Sequence, residues 1–151
     1  MQNQQGFSYV IAMFLVAVLA IVAVRALENS LTAERREKET ELLVVGMAYR
    51  AAIKDYYDNT PGTLKLFPDD LDALLLDKRP TVPRRPLRKL FRDPITGNAE
   101  WGLIKNDEGK VTGVFSMSTQ APMQTSGFVP ALASFEGARQ YIQWRFVYQP
   151  N

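Results

Sequence analysis

An uncharged apolar run near the start of the chain limits its fold more than any other feature. Residues 7–24 contain no Asp, Glu, Lys or Arg. At the standard helical rise these residues would extend over about 27 Å, close to the hydrocarbon thickness of a bilayer. No other stretch of the sequence is comparably long and apolar. The run predicts one membrane-spanning helix, with everything after Arg25 outside the bilayer.

Three interpretations of this run compete. A secretory signal peptide has a basic N-terminal region and a small-residue cleavage site after an apolar core of about 7–15 residues. Residues 1–5 lack Lys and Arg, and residues 23–28 contain only a poor cleavage site of this kind. A plain signal anchor is the second interpretation. The third rests on Gly6 and Phe7, where a short polar leader ends and the apolar run starts at once.

Two amino acids, cysteine and histidine, are absent from the sequence, and their absence excludes several kinds of catalytic and metal-binding site. Without cysteine there are no disulfides, thiolate zinc sites or cysteine nucleophiles. Without histidine there is no Ser–His triad and no histidine-ligated metal or haem. Carboxylate, lysine and tyrosine chemistry remain, but the pattern favours a non-enzymatic protein without cofactor or metal. The net charge of +2 does not by itself indicate nucleic-acid binding.

Mixed charges follow the apolar run and indicate that the helix continues beyond it. Residues 34–41 combine acidic and basic side chains, and opposite charges such as Glu34 and Lys38 lie one helical turn apart. This pattern is typical of a solvated helix surface, here where the chain would leave the membrane.

An apolar stripe then follows at helical spacing. Its members recur at steps of three and four residues: Leu42, Val45, Tyr49, Ala52 and Tyr56. Such a stripe predicts a helix that covers a sheet with one face. Pro61 and Gly62 stop the helix. The sequence predicts a helix over residues 7–58, with a transmembrane half at 7–24 and an amphipathic continuation at 25–58.

The remaining residues, 59–151, predict a small α+β head. The expected elements are a short helix (67–76), a turn (93–97), three strands (101–105, 110–118 and 145–148) and one or two helical turns (135–141). Antiparallel strands packed on the apolar stripe would complete a core. The aromatic residues expected in this core or on the sheet faces are Trp101, Phe115, Tyr141, Trp144, Phe146 and Tyr148.

A basic segment lies inside the head. Residues 78–92 hold seven of the 18 Lys and Arg residues of the chain. The favoured interpretation is a solvated loop whose arginines pair with the nearby aspartates Asp69, Asp70, Asp72 and Asp77. The alternative is a protein-contact patch made of Arg84, Arg85, Arg88, Lys89 and Arg92. Nucleic acid is disfavoured because Phe91 is the one aromatic residue interleaved with these charges.

The N-terminal sequence of residues 1–42, MQNQQGFSYVIAMFLVAVLAIVAVRALENSLTAERREKETEL, resembles the start of type IV pilins and type II secretion pseudopilins. In that family a prepilin peptidase cuts after the glycine and the new N-terminal phenylalanine is methylated. The resemblance therefore implies a leader at residues 1–6, cleavage between Gly6 and Phe7, and N-methylation of Phe7. It also implies a pilin-like fold, in which the first helix continues out of the membrane as an amphipathic helix.

The C-terminal half carries a second resemblance, to a subgroup of type II secretion pseudopilins. It rests on residues 87–97, 101–104, 113–116 and 141–148. It implies a structural subunit of the bacterial inner membrane with a single span and a periplasmic head. The implied partners are other pseudopilins, inner-membrane components of the secretion system and the peptidase. The major pseudopilin binds calcium through acidic residues near its C-terminus, but after Glu108 this chain has one carboxylate, so no metal site is assigned.

Two features of the N-terminal sequence depart from the family pattern. The family usually has Glu where this chain has Ile11, and that carboxylate is thought to pair with the N-terminal amine of a neighbouring subunit during assembly. Its absence resembles the minor pseudopilin at a filament tip and favours a minor component. The leader also lacks Lys and Arg, so charge counting mildly opposes the implied orientation. The alternative function is a membrane-anchored periplasmic binding module that does not polymerise.

Overall fold

The computed structural model describes residues 5–150, with side chains from residue 8 onward. One long helix, α1, spans Gln5–Asp58. The chain divides into two compact units, Met1–Glu37 and Lys38–Asn151, and α1 contributes to both. The predicted helix is confirmed with its end at residue 58, but it begins at Gln5, two residues before its predicted start and within the predicted leader. Residues 1–4 of the predicted leader lie outside the described residues.

In the first unit, α1 is apolar and exposed over its early turns. Its most apolar window of 18 residues has a mean hydropathy of 2.8, and none of that window is buried. Phe14, Leu19 and Ile21 are each between 64% and 67% exposed. Soluble proteins rarely leave so continuous an apolar surface in water. The helix is therefore long and apolar enough to cross a membrane, as the run at residues 7–24 predicts.

In the second unit, α1 presents the predicted apolar stripe to the core. All five stripe residues are buried, and Tyr49 and Leu42 are completely so. The helix ends where its last carbonyls find side-chain donors. Asn59 Nδ2 donates to the Asp55 carbonyl at 2.8 Å, and Thr60 Oγ1 donates to the Tyr56 carbonyl at 3.2 Å. Thr60 thus supplies a donor to the Tyr56 carbonyl, and Asn59 adds a side-chain bond to a carbonyl that already accepts from the Asn59 N–H.

The sheet has three antiparallel strands in the order β1-β2-β3. The strands are β1 (Gly102–Lys105), β2 (Val111–Phe115) and β3 (Phe146–Val147). Each lies within one of the three predicted segments, so the α+β class with a small antiparallel sheet is confirmed. Phe146 of β3 packs directly on Gly46 of α1, where a Cβ would lie 2.4 Å from the phenylalanine ring.

Two predicted helical segments are wrong in extent. The segment at residues 67–76 forms a 3-10 helix only at Asp72–Leu74. Its backbone carbonyls bond outside the segment instead: Pro68 O accepts from Val111 N, and Leu74 O accepts from Leu87 N. The second segment, expected to form helical turns at 135–141, is helical only at its two ends. These ends belong to 3-10 helices at Pro130–Phe135 and Tyr141–Gln143, separated around Gly137, whose φ is 72°.

Aromatic rings fill the core beside the sheet. Phe135 stacks on Trp144 with ring centroids 5.3 Å apart, and Phe146 meets Phe135 edge-on at 5.0 Å. Four of the six predicted aromatic residues are buried: Trp101, Tyr141, Trp144 and Phe146. The other two, Phe115 and Tyr148, are partly buried. The large ring areas supply much of the apolar burial available to a head with such short strands.

Removal of residues 1–24 is expected to leave a soluble head that unfolds cooperatively. The uncharged apolar run ends before Arg25. Among the described residues of α1, Glu39 is the first buried one, so the deletion removes none of the buried residues of the head. Size-exclusion chromatography and urea unfolding followed by circular dichroism would test this. A matched deletion of residues 1–48 removes Leu42, Val45 and Gly46 and should abolish the transition. An aggregated or non-cooperative 25–151 fragment would contradict this division of the chain.

Candidate functional site

The basic segment of the head divides into an inner part and an outer part. In the inner part, Arg79 forms two hydrogen bonds of 2.8 Å with the carboxylate of Asp77, whose side chain is 1% exposed. Arg79 also donates to the Tyr56 carbonyl at 2.8 Å and lies 3.3 Å over the Tyr56 ring. Hydrogen bonds from Arg79 are the main reason that the pKa of Asp77 is lowered. Arg79 therefore ties the segment to α1.

Arg84 also bonds to the head, although its side chain is 45% exposed. Its guanidinium donates to Asp55 Oδ1 at 3.0 Å and to Asn59 Oδ1 at 2.5 Å. Its backbone forms a two-bond bridge with Asp77, at 2.8 and 2.9 Å. Of the predicted contact patch, Arg84 is thus committed to the end of α1.

The predicted pairing of arginines with nearby aspartates holds at Asp77 alone within residues 5–150. Asp69 forms an ion pair with Lys110 instead, and Asp70 Oδ1 accepts a hydrogen bond from Ala73 N at 2.9 Å. The carboxylate that pairs with Arg84 is instead Asp55. This pairing was not predicted, because 29 residues separate Arg84 and Asp55 in sequence.

The outer part is a basic strip, defined by its four exposed cationic residues: Arg85, Arg88, Lys89 and Arg92. Arg85 donates to the Leu75 carbonyl at 3.2 Å, and Arg92 donates to the Gly97 carbonyl at 3.2 Å. Lys89 Nζ lies 5.3 Å from the centre of the Phe91 ring. No ion pair with a carboxylate involves any of the four in the described part of the chain.

Tyr49 holds the backbone of the basic strip. Its hydroxyl accepts a hydrogen bond from Phe91 N at 2.9 Å and donates to Phe91 O at 3.2 Å. Trp101 Nε1 donates to the same carbonyl at 2.9 Å. Burial raises the pKa of the Tyr49 phenol, so the hydroxyl keeps its proton at neutral pH and can donate.

Asp93 anchors the turn that follows the strip. Its carboxylate is fully buried and accepts from Ile95 N and Thr96 Oγ1, both at 2.9 Å, and from Ser116 Oγ at 2.6 Å. Gly97 has a φ of 73° and donates its N–H to the Asp93 carbonyl at 2.7 Å. The turn predicted at 93–97 is confirmed. The bond to Ser116, just after β2, was not predicted, because a turn pattern contains no information about a distant partner.

Glu39 corrects another expectation. It belongs to the mixed-charge run predicted to be solvated, but it is 5% exposed. One of its carboxylate oxygens accepts from Met123 N at 2.7 Å and from the Tyr141 hydroxyl at 2.6 Å, and the other accepts from Gln124 N at 2.8 Å. The sequence contained a signal for this, since Glu39 lies three residues before Leu42 and so shares the buried face of α1.

The predicted processing and assembly positions lie in the first unit. Gly6 and Phe7 are within the backbone of α1, and the side chain of Phe7 lies outside the described residues. Ile11, at the position where the family that this sequence resembles usually has Glu, is 44% exposed on the same helix. Comparison of the chain with protein-family models, curated proteins and solved structures gave no match.

Tyr49→Phe is expected to destabilise the head by about 1–3 kcal/mol, because it removes both hydrogen bonds that the buried tyrosine makes to the part-buried backbone of Phe91. Thermal unfolding of the full chain in neutral detergent would measure this. Tyr148→Phe is the matched control, because the Tyr148 hydroxyl makes one exposed hydrogen bond of 3.3 Å to Asp58. Equal effects of the two substitutions would contradict an anchoring role for Tyr49.

Asp77→Asn is expected to destabilise the head by about 1.5–3 kcal/mol at neutral pH, because it removes charge-assisted hydrogen bonds to Arg79. The pKa of Asp77 is lowered from its ordinary value of 3.8 in the fold. The ionised form therefore stabilises the fold fully above that value, and the stabilisation is lost as the pH falls through the lowered pKa.

Urea unfolding over a pH series would test this. The difference between wild type and Asp77→Asn should stay constant from about pH 5 to 8 and shrink below the ordinary carboxyl pKa. Asp72→Asn is the control, since Asp72 is exposed and should show little difference at any pH. A difference that grows with acidity would contradict the account.

Proposed function

We propose that this chain is a pseudopilin-like structural subunit of a type II secretion or type IV pilus-like system. A prepilin peptidase would cut it between Gly6 and Phe7 and methylate Phe7, and α1 would carry its assembly. The observation that supports this most is the helix itself. Within Gln5–Asp58, the early turns are apolar and exposed, while the last turns form the core of the head.

The two surfaces of α1 require different surroundings. Exposed Phe14, Leu19 and Ile21 need lipid or neighbouring helices around them, because water is an unfavourable environment for a continuous apolar surface. Further along the same helix, Tyr49 and Ile53 are fully buried by the head's own residues. One helix can thus anchor the chain in a membrane and be an inseparable part of a folded head, as a filament subunit requires.

The proposed location is the bacterial inner membrane, with a single span and the head in the periplasm. The proposed partners are other pseudopilins, inner-membrane components of the system and the prepilin peptidase. The chain would act without catalysis, through helix packing and through the surface of its head. The sequence resemblances, at residues 1–42 and in the head at 87–97, 101–104, 113–116 and 141–148, support this assignment.

Ile11 supports a minor rather than a major subunit. A carboxylate within a membrane span costs roughly 2.5–3.5 kcal/mol at the centre and less near the end. A filament-body subunit could offset that cost by pairing the carboxylate with a neighbour's N-terminal ammonium. With Ile11 both the cost and the pairing are absent, so helix packing alone must recruit this subunit, or it occupies a place where no pairing is needed.

The second candidate is a membrane-anchored periplasmic binding module that does not polymerise. The same Ile11 favours it, because the assembly carboxylate is missing. The exposed basic strip also suits a binding surface. The two candidates differ in maturation, since a simple anchored module has no need of cleavage at Gly6.

Gly6→Ala is expected to block maturation, whereas Phe7→Leu should be cut almost as well as wild type. A residue without a side chain lets the backbone enter a protease site at the membrane face. The gel mobility of each variant would be compared in cells with and without a prepilin peptidase. Unchanged mobility of wild type and Gly6→Ala in both cell types would favour the anchored module instead.

Overproduction of the wild-type chain with a compatible assembly machine is expected to give no long homopolymer. Ile11→Glu should leave cleavage intact and increase incorporation into the filament body, because it restores a pairing carboxylate. Microscopy and immunoblotting of sheared filaments would measure both. Long filaments made of the wild-type subunit alone would show that the missing carboxylate does not limit assembly, and would indicate a major subunit.

A further inference from the structure

The basic strip differs from Arg79 and Arg84 in having no carboxylate partner among the described residues. Arg79 and Arg84 use their charges to tie the segment to the end of α1. The strip instead places four exposed cations within eight residues, and the described residues pair none of them with an acid. Four unpaired cations on one exposed segment make this surface electropositive, so an anionic ligand would be attracted to it.

The backbone beneath the strip is fixed at three points. Leu87 is buried and donates its N–H to the Leu74 carbonyl at 2.9 Å. Phe91 is held on both its N–H and its carbonyl by Tyr49. Asp93 closes the strip with its buried carboxylate. Because this backbone is already ordered, a ligand that binds the cations does not bear the entropy of ordering it.

A concavity of about 400 Å³ adjoins the strip. The basic and apolar residues in its lining include Lys89, Leu90, Phe91, Arg92 and Pro94. Leu90 is 41% exposed, although it is a large apolar residue. Glu41 of α1 is the one exposed carboxylate of the lining, since that of Asp93 is buried and fully engaged. Cations beside apolar faces suit a ligand that combines carboxylates with an apolar side chain.

We propose that the basic strip and this concavity form a docking site for an acidic segment of a different protein. The carboxylates of the segment would bind Arg85, Arg88, Lys89 and Arg92, and an apolar side chain beside them would enter the concavity. The proposal goes beyond the function proposed above, and it holds whether or not the chain is cut at Gly6.

A second copy of this chain fits the strip less well. The aspartates near residue 70 form the most acidic exposed cluster of the head, but Asp69 is paired with Lys110 and Asp70 caps a turn. The exposed acids of α1 are interleaved with Arg35, Arg36 and Lys38, so they form no acidic strip. A lipid headgroup would use the cations but leave the apolar lining without a role.

The test uses the full chain in neutral detergent and a fluorescent peptide of glutamates that contains a leucine and a phenylalanine. Fluorescence anisotropy should show binding that weakens as salt is added. Arg88→Glu combined with Lys89→Glu should lower the affinity by at least about tenfold. Lys105→Glu combined with Arg139→Glu makes the same change in net charge at other exposed positions and should have little effect. Circular dichroism would confirm that both double variants are folded.

Several results would overturn the proposal. The peptide could fail to bind, or the two double variants could weaken binding equally, which would indicate attraction to overall charge alone. A peptide with glutamine in place of glutamate could bind as tightly. Two further results would assign the strip to another ligand. One is strip-dependent binding to phosphatidylglycerol nanodiscs without peptide binding, and the other is strip-dependent self-association of the chain.

Discussion

The head depends on close packing between the second half of α1 and strand β3. Gly46 permits this approach, because the ring of Phe146 occupies the space that a Cβ would take. A glycine inside a helix costs about 1 kcal/mol relative to alanine. The contact with Phe146, and through it with the rings of Phe135 and Trp144, offsets that cost. The helix is therefore the central element of the core and could not be detached from the head without exposing it.

Buried carboxylates hold the irregular parts of the head in place around this packed core. The strands are short, so much of the head is irregular backbone whose polar groups need partners. Glu39 holds the backbone at residues 123 and 124, Asp77 holds Arg79, and Asp93 joins the turn at 93–97 to Ser116. Each carboxylate is satisfied by several donors, which offsets the cost of its burial. Asp77 and Asp93 also flank the basic strip, Asp77 through its backbone bridge to Arg84 and Asp93 through the turn that follows the strip.

The sequence predicted those features that depend on local patterns. The helix, its buried stripe, the three strands and the turn at 93–97 follow from periodicity and turn residues over short windows. Features that depend on distant partners were missed or wrong. The helix expected at 67–76 is shortened because carbonyls such as that of Leu74 bond to other segments. The partnership of Arg84 with Asp55 and the hold of Tyr49 on Phe91 join residues far apart in sequence, which no short window contains.

The central claim is that α1 is both a membrane anchor and the assembly element of a processed subunit. Mass spectrometry of the N-terminus of the protein purified from its native membrane tests this most directly. The account predicts a mature chain that begins with N-methylated Phe7. A chain that still begins with Met1, or one cut after the apolar run, would contradict it. The first result would indicate a simple membrane anchor, and the second a secretory signal peptide.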